Sequence, residues 1–266
     1  MRLTQTRSSF LKKFLWSFLV LILAGCTGVE GKNTRIRPQL RVLTYNIHHG
    51  EGMDNEFNYE RLAKIIRDLN PDVVALQEVD YKTRRSSMID QAGLLGELTR
   101  MKAVFGRAMY FQGGEYGEAL LSRFPMEEKR VYALPYHSGQ EPRIALAAKI
   151  IPDGDLPEFI FVGTHLCHQS EETRYEQMTR IHSLFSDVED GPVILAGDLN
   201  AREGSFPMNV LLQNGWKDAS SPDSRIDYIL IRSKDPWKVV DVRIIEDDVA
   251  SDHFPVFVVL EWTPEK

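Results

Sequence analysis

The sequence predicts an α+β fold in which two packed mixed β-sheets are flanked by helices. Three observations lead to this class. Short apolar runs of strand type outnumber the helical segments, strands and helices follow one another in mixed order, and no linker typical of a domain boundary interrupts the chain after about residue 40. Two sheets packed face to face with outer helices is the simplest arrangement that buries such elements. A chain of 266 residues can bury the core that this requires.

The helices are predicted from apolar residues at helical spacing. The segment Tyr59–Leu69 has apolar residues at 62, 65, 66 and 69, is preceded by Asn58 as a capping residue, and is followed by Pro71. The other helices are predicted over 90–101, 170–187 and 205–214.

Strands are predicted where short runs of residues are mostly apolar. These strands cover 40–47, 72–79, 103–107, 117–122, 143–151, 158–164, 193–197, 226–232, 238–245 and 254–262.

The first 25 residues have the pattern of a secretory signal. A basic start is followed by an apolar run over 14–24, which is short for a transmembrane helix. The run closes on Leu-Ala-Gly-Cys, which resembles the bacterial lipobox and implies cleavage before Cys26 and lipidation of that cysteine. An ordinary cleaved signal and an uncleaved anchor are the alternatives. We therefore expect a signal peptide at 1–25, a lipidated Cys26 and tether at 26–39, and a catalytic domain at 40–266.

This arrangement predicts an exported protein that is lipid-anchored to a bacterial membrane, in the periplasm or on the cell surface. Loss of the signal removes four of the 32 basic residues and leaves 28 against 38 acidic residues, a net charge of −10. A surface of that sign disfavours nonspecific binding of nucleic acid. The second cysteine, Cys167, would have no disulfide partner in the chain, and we interpret it as structural.

Polar residues stand at the ends of several apolar runs. They are Asn46, Glu78, His165, Asp198, Asn200, Asp227, Asp252 and His253. Carboxylates, amides and imidazoles at the rim of a sheet cost desolvation energy unless they are paired or bind a ligand. If they gather at one rim they form a site for a hard cation, since carboxylate and amide oxygens suit Mg²⁺.

Six short motifs carry a resemblance to a known family. They are Thr-Tyr-Asn, Leu-Gln-Glu-Val, Gly-Thr-His-Leu, Gly-Asp-Leu-Asn, Arg-Ile-Asp-Tyr and Ser-Asp-His-Phe-Pro-Val, in that order. From about Leu40 to its end, the chain resembles the endonuclease/exonuclease/phosphatase superfamily, which includes pancreatic deoxyribonuclease, abasic-site endonucleases, neutral sphingomyelinases and inositol-polyphosphate phosphatases. The resemblance implies a four-layer αββα sandwich with the site at one end of the two sheets.

The resemblance also implies roles for the metal and the attacking water. Glu78 is the main ligand of Mg²⁺, with Mn²⁺ as an alternative, and Asn46 and Asp252 lie beside it. Asp198 orients or deprotonates the attacking water, and Asn200 donates a hydrogen bond to the phosphate.

Two histidines complete the set that the resemblance implies. His253 contacts the phosphate while Asp227 holds its ring, and His165 contacts a second phosphate oxygen or the leaving group. Glu118 stands where the family often has Asn, and we predict that it pairs with His165. The alternative is a solvated strand residue.

Several further residues are open to two interpretations. Arg143 is predicted to bind phosphate, with a surface arginine as an equal alternative. Arg84 and Arg85 either line the substrate channel or are solvated loop residues. His48 and His49 follow the Asn46 motif but are not assigned to the site.

The predicted function is hydrolysis of a phosphodiester or phosphomonoester by in-line attack of an activated water, with a divalent metal. The substrate is a phospholipid head group, a small phosphodiester or nucleic acid, and no obligate protein partner is expected. A nuclease is one alternative, although Asp80 places an acid where some nuclease relatives have a basic DNA contact. A binding module that keeps the fold without chemistry is another.

Overall fold

A computed structural model describes residues 37–220 and 226–264. The strands are β1 (Gln39–Asn46), β2 (Val73–Tyr81), β3 (Lys102–Phe111), β4 (Gly114–Ser122), β5 (Met126–Ala133), β6 (Ile144–Ile150), β7 (Phe159–His165), β8 (Val193–Asp198), β9 (Trp216–Asp218), β10 (Asp227–Arg232), β11 (Trp237–Ile244) and β12 (Val256–Trp262). The helices are α1 (Tyr59–Leu69), α2 (Gln91–Thr99), α3 (Glu171–Phe185) and α4 (Phe206–Leu212), and a 3₁₀ turn covers His48–Gly50. The segment predicted to be a signal, the predicted lipidation site Cys26, and Arg225 lie outside the described residues.

The strands form two mixed sheets of six strands each. The first has the order β11-β12-β1-β2-β4-β3 and the second β5-β6-β7-β8-β10-β9. One buried cluster joins residues of both sheets, such as Val42 and Val258 from the first with Phe161 and Ile229 from the second. The predicted fold class, two packed mixed sheets flanked by helices, is confirmed.

The outer faces of the sheets are covered by the helices. A second cluster packs Leu62 and Leu95 of α1 and α2 on the first sheet, and a third packs Met178 and Leu211 of α3 and α4 on the second. The layers are therefore helix, sheet, sheet, helix. Among residues 37–220 and 226–264, no helix is both long and apolar enough to cross a bilayer.

Helix α1 begins and ends as its sequence predicts. The Asn58 side chain accepts a hydrogen bond from the backbone N–H of Arg61, and Asn70 ends the helix in the left-handed conformation. Ser170 and Asp90 cap α3 and α2 in the same way. Each of these caps satisfies a backbone donor that would otherwise have no partner.

Two strands were not predicted from the sequence. Strand β5 reads Met-Glu-Glu-Lys-Arg-Val-Tyr-Ala and is mostly exposed at the edge of the second sheet, so it has no apolar alternation. Charged residues on an edge strand discourage pairing with another chain. Strand β9 has three residues, too few for a periodic pattern.

Strand direction brings the polar residues to one rim of both sheets. Strand β1 runs parallel to β2, and β7 runs parallel to β8, so their carboxyl ends lie together. Strands β12 and β10 run antiparallel to these neighbours, so the residues at their beginnings reach the same rim. In the register of the second sheet, Asp198 lies beside His165 on one side and Asp227 on the other.

Candidate active site

A pocket of about 390 Å³ opens at this rim. It is lined by His48, His49, Glu78, Arg85, Met109, Phe111, Tyr116, Glu141, Arg143, His165, His168, Asp198, Asn200, Asp252 and His253. Seven of these residues were predicted from the sequence. The other three predicted residues, Asn46, Glu118 and Asp227, are buried next to the pocket.

Glu78 reaches the pocket because β2 carries a bulge. Gln77 and Glu78 together oppose Glu118 of β4, where the pairing shifts between Leu76 and Val79. Glu78 has a φ of 60°, in the left-handed region that side chains other than glycine rarely adopt. A bulge of this kind redirects a side chain, and strained backbone of this kind is concentrated at functional sites.

The side-chain amide of Asn46 joins two carboxylates. Its Nδ2 donates to Glu78 Oε1 at 3.1 Å and to Asp198 Oδ2 at 3.2 Å, while its Oδ1 accepts from the backbone N–H of His48 at 3.1 Å. The amide is therefore fixed from both ends. It holds Glu78 of the first sheet and Asp198 of the second at a set separation.

Glu78 is held as an anion. Burial acts to raise its pKa, but the nearby His49 ring, the charge of His165 and the Asn46 amide together lower the pKa well below its usual range. His49 Nδ1 lies 3.8 Å from Glu78 Oε2. Within the described residues Oε2 accepts no hydrogen bond, so it is open to a cation in the pocket.

The environment of Asp198 raises its pKa towards neutral pH. Burial and the neighbouring charge of Asp227 raise its pKa to about 7, against the opposing effects of His253, the Asn200 N–H and Asn46. The Asn200 N–H donates to Asp198 Oδ1 at 2.9 Å. A carboxylate with such a pKa can accept a proton from water near neutral pH.

His253 is held as a cation by Asp227. His253 Nδ1 lies 2.9 Å from Asp227 Oδ2, and Nε2 lies 3.7 Å from Asp198 Oδ2. Burial acts to lower its pKa, but the hydrogen bond to Asp227 and the charges of Asp227, Asp198 and Asp252 raise the pKa to about 9. The predicted contact between Asp227 and the ring of His253 is present.

His165 is paired differently from the prediction. Its Nδ1 accepts a hydrogen bond from Arg143 Nη1 at 3.1 Å, and its Nε2 lies 3.3 Å from Asp198 Oδ2. Because a guanidinium only donates, the proton of the neutral ring is on Nε2, facing Asp198. Burial and the charge of Arg143 lower the pKa of His165 well below its usual value. The predicted pair between Glu118 and His165 is wrong.

The Glu118 side chain is buried, and its Oε2 has no hydrogen-bond partner within the described residues. The alternative of a solvated strand residue is therefore also wrong. Burial raises the pKa of Glu118 well above its usual value, although the charge of Arg143 opposes this. A buried carboxyl with few partners is favoured in its neutral form.

Arg143 is not a surface residue, because only 3% of it is exposed. Besides His165, its guanidinium contacts Glu141 Oε2 at 2.8 Å and His168 Nδ1 at 3.4 Å through Nη2. It lines the pocket, so it is placed to donate to an anion there.

Several pocket residues were missed or set aside in the sequence. His48, His49 and His168 line the pocket, although loop histidines carry no periodic signal. Arg85 lines it too, whereas Arg84 is exposed. His137, His182 and Cys167 do not line it: His137 pairs with Glu176, His182 with Ser186, and Cys167 is a buried free thiol.

Two neighbouring sets of side chains could hold a divalent cation. Single ligand atoms of Asp198, Asp227 and His253 lie within 4.8 Å of one another. In that set the Asp227–His253 hydrogen bond already uses one nitrogen. The oxygen donors of Glu78 and Asp252 line the pocket beside Asn46, and such donors suit a hard cation. The residues therefore fit the predicted metal.

Comparisons with known proteins agree with this geometry. A sequence model described as the Endonuclease/Exonuclease/phosphatase family matches residues 43–253. The uncharacterized protein YbhP of Escherichia coli is 27% identical over 183 residues, which cover 64% of this chain and 71% of YbhP.

Solved structures of similar fold extend the comparison. An endonuclease/exonuclease/phosphatase of Beutenbergia cavernae is 25% identical with a TM-score of 0.70, covering 85% of this chain and 72% of that one. A mannosyl-6-phosphatase of Bacteroides thetaiotaomicron is 20% identical with a TM-score of 0.66, covering 84% of this chain and all of that one, which shows the shared fold.

Proposed function

The chain belongs to the endonuclease/exonuclease/phosphatase family, and on that premise we propose that it is a divalent-metal-dependent phosphoesterase. It hydrolyses a phosphodiester or phosphomonoester by in-line attack of water. The observation that carries this proposal is the joint placement of Asp198, Glu78 and His253 at one pocket, with the Asn46 amide between the two carboxylates.

The side chains divide the work of hydrolysis. Asp198, whose pKa is about 7, accepts the proton of the attacking water. The cationic His253 donates a hydrogen bond from Nε2 to a phosphoryl oxygen, and Asp227 keeps its ring charged and oriented. Asn200 and Arg143 donate hydrogen bonds to other phosphoryl oxygens. These donors are already in place, so they stabilise the negative charge that develops on the phosphoryl group in the transition state.

The metal ion is Mg²⁺, with Mn²⁺ as an alternative, and Glu78, Asn46 and Asp252 would hold it. When bound, it supplies a Lewis acid that neutralises charge on the phosphoryl group. Glu78 is suited to this task because it stays ionised and keeps Oε2 free of hydrogen bonds within the described part of the chain.

We propose a small phosphodiester or a phospholipid head group as substrate, at a bacterial membrane to which the lipidated Cys26 anchors the protein. The net charge of −10 after loss of the signal supports this choice over nucleic acid. Asp80, at the position where some nuclease relatives have a basic DNA contact, is buried and paired with Arg85. Nuclease activity is the alternative, and the screen below tests it with DNA and RNA.

The test is a hydrolysis screen of the full chain in detergent micelles, with Mg²⁺ and with EDTA. The substrates are bis(4-nitrophenyl) phosphate, 4-nitrophenyl phosphate, phospholipid vesicles, DNA and RNA. We expect Mg²⁺-dependent release that falls by about 10²- to 10³-fold in Asp198→Ala and His253→Ala.

Matched controls are Asp241→Ala and His137→Ala, which alter exposed residues outside the pocket. They should leave the rate unchanged. A folded protein that hydrolyses none of these esters with either metal contradicts the proposal. Tight binding of phosphate esters without turnover would instead indicate a binding module.

A further inference from the structure

One wall of the pocket is built from the hairpin of β3 and β4 and from the loop that follows β2. Met109, Phe111 and Tyr116 give it an apolar surface, and Arg85 stands among them. We propose that Arg85 forms a second anion subsite, so that the preferred substrate carries an anionic group, a phosphate or a carboxylate, in addition to its scissile phosphate. This inference rests on the proposed phosphoesterase function and narrows its substrate class.

Arg85 is fixed by a carboxylate beneath it. Its Nε and Nη2 donate to the two oxygens of Asp80 at 2.8 and 2.9 Å, and Asp80 is fully buried. Thr83 Oγ1 donates to the same carboxylate at 2.6 Å. This two-point contact fixes the plane of the guanidinium, so little side-chain entropy is lost when Arg85 binds an anion.

Aromatic rings hold the same guanidinium from the side. Its central carbon lies 4.6 Å from the ring centroid of Phe111 and 5.4 Å from that of Tyr116. The backbone N–H of Arg85 donates to the Gln112 side chain at the turn of the hairpin. The loop and the hairpin therefore support Arg85 together, and the wall is organised before any ligand binds.

The remaining edge of Arg85 is available to a ligand. Within the described residues Nη1 makes no hydrogen bond and no ion pair. A quarter of the Arg85 side chain is exposed, and this side chain lines the pocket. Because Asp80 offsets its charge, Arg85 selects an anion through directed N–H groups more than through long-range attraction. An arginine that served only to satisfy Asp80 would not need to face the pocket.

The strand order gives the approximate distance that such a substrate must span in the pocket. In the first sheet β1, which carries Asn46, is separated from β4, which carries Tyr116, by β2 alone. Two strand spacings are roughly 10 Å. A pocket of about 390 Å³ can hold one small molecule that contacts both places. Ligand groups bound near β1 and near β4 would therefore lie roughly 10 Å or less apart.

The test uses two phosphonates that are not hydrolysed and differ in one charge, (4-carboxyphenyl)phosphonate and (4-carbamoylphenyl)phosphonate. Their Kd values are measured by calorimetry on the full chain in detergent micelles with Mg²⁺. We expect the carboxylate to bind about tenfold tighter or better, as a charge-assisted hydrogen bond predicts. In Arg85→Gln the ratio of the two Kd values should fall to about one, with the carbamoyl Kd little changed.

Two further variants serve as controls for the Arg85→Gln measurement. Arg107→Gln removes an arginine of the same hairpin that stacks on Tyr110 and pairs with Glu115 outside the pocket, and it should keep the preference. If Arg85→Gln leaves Asp80 unpaired and fails to fold, the double variant Asp80→Asn with Arg85→Gln removes both charges and should also lose the preference.

The outcomes separate this inference from the proposed function. A wild-type ratio near one, or a preference that survives in the Arg85 variants, overturns the subsite while hydrolysis of bis(4-nitrophenyl) phosphate continues. If the folded protein neither hydrolyses that diester nor binds either phosphonate, the proposed function fails and the subsite fails with it.

Discussion

His253 Nδ1 lies 2.9 Å from Asp227 Oδ2. The two residues come from β10 and from the segment before β12, so the contact joins the two sheets at the rim of the pocket. It orients Nε2 towards Asp198 and favours the charged ring. The positive charge of His253 therefore depends on the Asp227 carboxylate, although Asp227 does not line the pocket at the rim.

The first prediction concerns the titration of His253 in metal-free protein. A folded pKa of about 9 against an unfolded value of about 6.5 means that folding favours the imidazolium. The stability from this contact is fully present below pH 6.5 and is lost as the pH rises through about 9. Asp227→Asn should lower the pKa of His253 by at least one unit, measured by NMR of the ring protons. An unchanged titration would show that Asp227 does not hold the charge.

The second prediction concerns Asp198 and stability. Its folded pKa of about 7 lies above the ordinary 3.8, so ionising the buried carboxylate opposes folding as the pH rises from about 4 to 7. Metal-free Asp198→Asn should therefore gain in Tm relative to wild type over this range, by the equivalent of roughly 1–4 kcal/mol. Asp241→Asn, at an exposed site, should show no such trend. A constant difference in Tm between pH 4 and 8 would contradict the raised pKa.

The third prediction concerns Glu78 and the metal. Glu78→Gln keeps the shape of the side chain but removes the charge that faces the pocket. We expect the Mg²⁺ concentration for half-maximal hydrolysis to rise by at least about tenfold, because loss of a group that only supports a metal ligand already costs about that much. Glu115→Gln, on the β3–β4 hairpin outside the pocket, should leave the Mg²⁺ dependence as it is. Equal Mg²⁺ requirements in wild type and Glu78→Gln would remove Glu78 from the metal site.

The fourth prediction concerns Cys26. If this cysteine is lipidated, the full chain expressed in a bacterium should incorporate labelled palmitate and partition into the detergent phase. Cys26→Ser should lose both properties, whereas Cys167→Ser should retain them. Labelling that persists in Cys26→Ser would contradict the lipid anchor.

Much of the fold follows from local patterns in the sequence. The helix at Tyr59–Leu69 is predicted to its boundaries because Asn58 and the apolar spacing are local signals. Strand β5 is not predicted, because its pairing with β6 is made through the backbone while its side chains are solvated.

The site is predictable where a residue ends a buried strand, and less so where a partner comes from elsewhere. Asp198 and His165 end neighbouring strands, and the register places them side by side. The hydrogen-bond donor to His165 is Arg143, which directly precedes β6, the antiparallel neighbour of β7. No local sequence pattern shows that Arg143, and not Glu118, is the residue that contacts His165. Loop residues such as His168 reach the pocket only through the path of the folded chain.

The central claim is that water attacks phosphorus at this pocket, and an oxygen-isotope experiment tests it directly. The protein hydrolyses bis(4-nitrophenyl) phosphate with Mg²⁺ in water enriched in ¹⁸O, and both products are analysed by mass spectrometry. We expect one ¹⁸O atom in the 4-nitrophenyl phosphate and none in the 4-nitrophenol, with the rate lost in Asp198→Ala. Label in the nitrophenol, or no hydrolysis by the folded wild-type protein, would contradict the account.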